Sequence, residues 1–180
     1  MLSIFVPKIE LFDESKDRFV TIQSQTLLLE HSLLSISKWE SKWMKPFLDD
    51  KNKKTNEEVI DYIRCMSTRP IKREVLNALT IEDINSIVEY IDSPMTASSV
   101  TIIGNDKPRR ETITSELIYY WMINAGVPFE CEKWHLNRLL MLLKIFGAKN
   151  QTHKKINAKE SARIQSDLNA QRRRMLKSKG

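Results

Sequence analysis

One cysteine and one histidine stand at a spacing that suits metal binding. Cys131 and His135 are four residues apart, so on a single helix both side chains would lie on one face. A structural zinc site needs four nitrogen or sulfur ligands, and the other candidates, Cys65, His31 and His153, lie in separate segments. We therefore interpret Cys131 and His135 as packed core residues, and we expect neither a metal nor any other cofactor.

The familiar signatures of catalysis are missing from the sequence. No Gly-x-Ser-x-Gly motif is present, and the four glycines are too scattered to form a loop that cradles phosphate. Neighbouring acidic residues such as Glu57-Glu58 and Glu82-Asp83 stand at expected helix starts, where capping and the helix dipole account for them. We expect a protein that is not an enzyme.

The two tryptophans at positions 39 and 43 are candidates for partner binding. Trp39 and Trp43 share one face of an expected helix. Tryptophan at this spacing is most simply a core anchor, but it also concentrates binding energy at protein interfaces, and both interpretations stay open. The residues that we predict to bind a partner are Trp39 and Trp43, together with Lys154, Lys155, Arg163, Arg172, Arg173 and Arg174 near the C-terminus.

Basic residues concentrate at the C-terminal end of the chain. Residues 149–180 contain ten Lys or Arg and two acidic residues, whereas residues 1–148 contain 19 basic and 21 acidic residues, so their net charges are +8 and −2. Such a tail can bind nucleic acid in a salt-sensitive way, but it has no aromatic side chain to stack on bases. We therefore place nucleic acid below a protein as the partner of this tail.

The first 30 residues are predicted to form a small β-sheet. Residues 2–7 and 18–23 are rich in β-branched and aromatic side chains, and the polar residues 13–17 suit a hairpin connection between them. Residues 26–30 form either a third strand or the beginning of the next helix. Because so small a sheet is marginal alone, it must pack on helices.

From residue 32 the apolar spacing becomes that of helices. Helices are expected from Ser32 to about residue 47, from a capping box at Thr55 and Glu58, over 71–79, from Thr80, over 114–125 with Gly126 after its end, and over 129–146. The helix over 129–146 is the most apolar, so we expect it at the centre of the core, with Gly147 ending it. Residues 98–103 are predicted to be a further β-like segment.

The sequence therefore predicts a mainly α fold with a small N-terminal β-sheet, of the α+β class, and a basic C-terminal helix or tail. We expect the sheet over residues 1–30 to pack on a helical core domain over 31–148, followed by the tail over 149–180. No apolar stretch is long enough to span a membrane, and the N-terminus lacks the features of a signal peptide. We therefore expect an intracellular protein with no membrane partner.

Seven segments spread over nearly the whole chain resemble those of one known family. They are LLEHSLLSISKWESKW at 28–43, ITSELIYYWM at 113–122, PFECEKWHLNRL at 128–139, and the shorter segments 45–48, 61–66, 89–97 and 168–173. The family consists of proteins encoded among the tail genes of long-tailed bacteriophages of the siphophage type, commonly labelled tail assembly chaperones.

This resemblance implies a non-enzymatic assembly factor. Tail assembly chaperones bind tape-measure or tail-tube subunits before these polymerise, and they keep apolar surfaces from aggregating. The resemblance therefore implies a tail-protein partner and a location in the host cytoplasm during phage assembly. Two alternatives stay open: a structural component of the virion, at the tail or connector, and a nucleic-acid-binding regulator that uses the basic tail. Association of two copies of the chain stays open as well.

Overall fold

The structure, a computed structural model, describes residues 1–13, 17–49, 51, 53–99, 111–150, 165, 166, 168 and 169. The chain divides into two compact units, Met1–Phe146 and Gly147–Gly180. The first unit begins with a small β region and continues with helices, so the predicted mainly helical α+β class is confirmed. The finer division at residues 30 and 148 stays a prediction.

Four short strands form two antiparallel pairs. They are β1 (Leu2–Val6), β2 (Ile9–Asp13), β3 (Arg18–Ile22) and β4 (Gln25–Leu29). In the outer pair, β1 runs beside β4 with Leu2 opposite Leu29, and in the inner pair β2 runs beside β3 with Ile9 opposite Ile22. In the sequence, the β2–β3 hairpin thus lies between the two paired strands β1 and β4.

The predicted hairpin between residues 2–7 and 18–23 is wrong. Residues 18–22 pair with β2, a strand that the sequence analysis missed, and residues 2–6 pair with β4. Because β2 carries Glu10 and Asp13, its composition is weaker in β formers than that of its neighbours. Of the two alternatives for residues 26–30, the strand is confirmed by β4. Residues 14–16, at the predicted connection, lie outside the described residues.

After β4, the regular elements of the described chain are helices. They are α1 (Leu33–Trp43), α2 (Asn56–Met66), α3 (Arg73–Leu76), α4 (Ile81–Asp92), α5 (Ser115–Asn124), a 3₁₀ helix (Phe129–Lys133) and α6 (Leu136–Asn150). The first of these packs on α2, α5 and the 3₁₀ helix, so α1 is the central element of the helical body. Its residues Leu33, Ile36 and Trp39 are at most 1% exposed.

Local capping chemistry sets the start of three helices and the end of one. Ser32, Thr55 and Thr80 each accept a hydrogen bond from the backbone three residues on, and the side chain there bonds back, which completes a capping box. The predicted caps at Thr55 and Thr80 are therefore confirmed. Gly126 follows α5 with φ at +63°, a left-handed conformation that glycine adopts without strain, as predicted.

The helix predicted over residues 129–146 is broken in two. The backbone of Trp134 is extended, and the N–H of Leu136 donates to the carbonyl of His31 at 2.8 Å rather than to the preceding turn. This tertiary bond replaces the helical one, so α6 begins only at Leu136. The helix α6 also continues through Gly147, which was expected to end it. Of the residues of α6, only Leu136 and Leu139 are fully buried. The expected central position in the core is therefore wrong for most of this helix.

Two smaller predictions met different outcomes. The short helix predicted over 71–79 covers only Arg73–Leu76. The β-like segment predicted over 98–103 lies outside the described residues from residue 100 onward, and residues 98 and 99 are not in a strand.

A buried carboxylate joins the end of α1 to the start of α5. Glu40 is 6% exposed. One of its oxygens accepts a hydrogen bond from the N–H of Phe47 at 2.7 Å, and the other accepts one from the N–H of Ser115 at 2.8 Å. Because Ser115 is the first residue of α5, its N–H has no partner within the helix, and the carboxylate also complements the helix dipole. Glu40 thus holds three segments together.

Replacing Glu40 by Ala leaves both N–H groups without this acceptor. Hydrogen bonds to charged groups contribute about 1.5–3 kcal/mol each, so the loss of both bonds in Glu40→Ala should lower the free energy of unfolding by about 3–6 kcal/mol in urea denaturation. The matched control is Glu89→Ala, at an exposed position of α4, which should change stability by less than about 0.5 kcal/mol. Equal effects of the two substitutions would contradict the role given to Glu40.

Candidate functional site

The two tryptophans of α1 hold α1 and α2 together. Trp39 is 1% exposed, and its indole N–H donates to the carbonyl oxygen of Glu58 at 2.8 Å. Trp43 is half-buried, and its N–H donates to the carboxylate of Asp61 at 2.8 Å. Their rings lie in contact with centroids 6.3 Å apart. Trp39 has almost no accessible surface to offer a partner, so the predicted partner-binding role of this pair depends on Trp43.

Most cations near Trp43 are already paired with carboxylates. Asp61 accepts from Lys42 and Arg64 at 2.7 Å each, and Lys45 pairs with Glu58 at 2.5 Å. Burial raises the pKa of Asp61, but the hydrogen bonds from Lys42 and the indole of Trp43 outweigh it, so its pKa lies below the usual value. These ion pairs leave little uncompensated positive charge on this part of α1 and α2.

A pair of buried histidines connects the β4–α1 junction with the start of α6. His31 is 3% exposed and its Nδ1 bonds to the hydroxyl of Tyr62, while His135 is 6% exposed with its Nε2 2.9 Å from the carbonyl of Tyr90. Since a carbonyl only accepts, Nε2 of His135 carries the proton, and its Nδ1 accepts from the N–H of Asn137. The two imidazoles lie 5.2 Å apart, which favours the neutral form of both.

The structure removes the geometric reason for considering a metal site at Cys131 and His135. Cys131 lies in the 3₁₀ helix and His135 precedes α6, so the two do not share one helical face, and that expectation is wrong. Both are buried. Nowhere in the part of the chain that the structure describes do three or more His, Cys, Asp or Glu side chains come together as a metal site would need.

Stability should fall in mild acid because of His31. Burial, and to a smaller extent the charge of His135, together lower the pKa of His31 to about 4. In the unfolded chain its pKa is about 6.5, so between these values the unfolded state binds more protons and stability declines as the pH falls. We expect His31 alone to account for a loss of about 3 kcal/mol between pH 7 and pH 4.

Urea denaturation at several pH values between 4 and 7 measures this loss. The variant His31→Asn keeps a polar group near the Tyr62 hydroxyl but cannot be protonated in this range. Its stability should depend less on pH than that of the unsubstituted chain. The same pH dependence in both proteins would show that His31 is not responsible.

The β2–β3 hairpin exposes two phenylalanines on one face. Phe12 and Phe19 lie directly opposite each other, with ring centroids 5.2 Å apart in an edge-to-face arrangement, and they are 50% and 72% exposed. Beside them Thr21 donates to Glu10 at 3.4 Å. Alternation along the strands directs Leu11 to the opposite, less exposed face. A paired, exposed set of aromatic rings is a candidate contact surface for another protein.

The basic residues predicted to bind a partner cannot be placed against this surface. Lys154, Lys155, Arg163, Arg172, Arg173 and Arg174 lie outside the described residues. In the second unit the structure describes residues 147–150, at the end of α6, and the helical residues 165, 166, 168 and 169. The role of the basic tail stays a prediction.

Comparisons with protein-family models, curated proteins and solved structures found no match to this chain. The resemblance to phage tail proteins therefore stays a prediction. Among the described helices, none combines the length and the apolar character that crossing a bilayer requires.

Proposed function

We propose that this chain is a non-enzymatic phage tail morphogenesis protein that binds tape-measure or tail-tube subunits in the host cytoplasm before they polymerise. The observation that carries the proposal is the exposed pair of Phe12 and Phe19 on the hairpin. A protein that shields apolar surfaces of another must itself present apolar surface. The resemblance of seven segments to the tail-gene family supplies the biological setting.

The size of this aromatic pair suits reversible binding. Covering roughly 100 Å² of each ring at about 25 cal/mol per Å² stabilises a complex by about 5 kcal/mol before the costs of association. Those costs are of the same order, so the pair alone cannot sustain a permanent complex. Release of the subunit during polymerisation is compatible with an interface of this kind.

Two alternatives make different predictions. A structural protein of the tail or connector would stay in the virion in a fixed number of copies. A nucleic-acid-binding regulator would bind DNA through residues 149–180, which carry a net charge of +8. DNA binding that survives deletion of these residues would rule out the second alternative.

Pairing of two copies through the hairpin would appear as a dimer in solution.

Co-expression with the tape-measure or tail-tube protein tests the proposal. We expect the unsubstituted chain to raise the soluble fraction of one of them and to co-purify with it. The double variant Phe12→Ser/Phe19→Ser should reduce co-purification at least fivefold, because it removes the exposed apolar area while leaving the buried face of the hairpin in place.

A second exposed apolar pair provides the matched control. Tyr120 and Ile123 on α5 are 58% and 61% exposed, and Tyr120→Ser/Ile123→Ser should leave co-purification unchanged. If only Tyr120→Ser/Ile123→Ser loses the partner, Phe12 and Phe19 are not the binding surface, but the proposed function is retained. If neither tail protein gains solubility or co-purifies with the unsubstituted chain, the proposed function is wrong.

A further inference from the structure

A pocket of about 320 Å³ lies away from the hairpin rings, between the first turns of α1, the end of α2 and the 3₁₀ helix. Residues from separate parts of the chain form its wall, among them Glu30, Leu34, Lys38, Cys65, Met66 and Lys133. Its volume is at the lower end of the range for sites that enclose a small ligand. It can accommodate one or two amino-acid side chains.

The pocket carries unneutralised positive charge. Lys38, on α1, and Lys133, in the 3₁₀ helix, form no ion pair with any residue that the structure describes. By contrast, Lys42 on α1 and Lys45 just after it are both paired with carboxylates. Glu30 supplies the one carboxylate among the described residues of the wall. It already accepts from the hydroxyl of Tyr90 and lies 3.1 Å from the N-terminal ammonium group. A ligand entering the pocket therefore meets two free ammonium groups.

The rest of the wall is largely apolar. Leu34 and Cys65 are partly buried and keep accessible apolar surface, whereas Met66, at 2% exposed, offers almost none. Covering this surface favours an apolar group on the ligand, while the lysines favour a negative charge next to it. The matching ligand is therefore both acidic and apolar.

We propose that this pocket binds an acidic peptide segment of the partner protein, with an apolar side chain against Leu34 and Cys65 and carboxylates at Lys38 and Lys133. This inference rests on the proposed function and specifies the chemistry of the partner. Among the described residues of the wall, none is an aromatic residue on which a base could stack, and none is an arginine for bidentate phosphate binding. Because these wall residues offer neither base stacking nor bidentate phosphate contacts, we favour a peptide carboxylate over nucleic acid as the ligand.

Fluorescence anisotropy of the full chain with a labelled peptide that alternates Glu and Leu measures this binding. We expect Lys38→Gln/Lys133→Gln to weaken the affinity at least tenfold, since it removes both charges that face the carboxylates. The control Lys8→Gln/Lys72→Gln removes the same charge from exposed positions outside the pocket, and it should change the affinity less than twofold. Equal losses in the two variants, or no binding by the unsubstituted chain, would overturn the proposal.

The thiol of Cys65 gives a second, spatial readout. Cys65 is free and lines the pocket, whereas Cys131 is free and buried. Because burial raises the pKa of the Cys65 thiol, its reaction with a disulfide reagent is best followed at about pH 8.5. Bound peptide should slow this reaction at least fivefold. No protection by the peptide, or equal protection by a single-stranded oligonucleotide of the same charge, would overturn the proposal.

The co-expression experiment separates the two proposals. A Lys38→Gln/Lys133→Gln chain that still captures its tail protein through the Phe12 and Phe19 surface would overturn the pocket proposal and leave the function intact. An unsubstituted chain that binds the acidic peptide at Cys65 but captures no tail protein would support the pocket and overturn the function.

Discussion

The helical body depends on the buried carboxylate of Glu40, which joins three of its segments. It bonds to the backbone of the turn after α1 and to the first N–H of α5, while α1 itself packs on α2 and the 3₁₀ helix. Because Lys38 and Trp43 both lie on α1, the position of this helix sets the positions of both side chains. A buried charge with two backbone partners tolerates little displacement, because losing either bond leaves polar groups unpaired.

Sequence reasoning succeeded where local chemistry decides the structure. The capping boxes at Thr55 and Thr80 and the glycine after α5 depend on neighbours within a few residues, so their signals are present in the sequence itself. The β1–β4 pairing encloses a second hairpin, and the break before α6 depends on a bond from Leu136 to His31. Both are long-range contacts that periodicity cannot reveal.

The candidate sites show the same limit. Helical spacing placed Trp39 and Trp43 on one face, but only the packing of α2 shows that the first is covered by the backbone of Glu58 and the second keeps accessible surface. The aromatic pair was missed because β2 was missed. The pocket combines side chains from segments far apart in the chain, so no sequence motif marks it, although unpaired lysines beside apolar residues are visible once the fold is known.

The two surfaces together suggest how a transient complex forms. In the proposed complex, Phe12 and Phe19 would supply apolar contact area and the pocket would bind an acidic segment; neither surface is large enough to hold a partner permanently. Quantitative mass spectrometry of purified virions tests the assembly role most directly. A chain that acts only before polymerisation should be absent from the virion or far below one copy per tail. A fixed number of copies in every virion would contradict that role and favour a structural one.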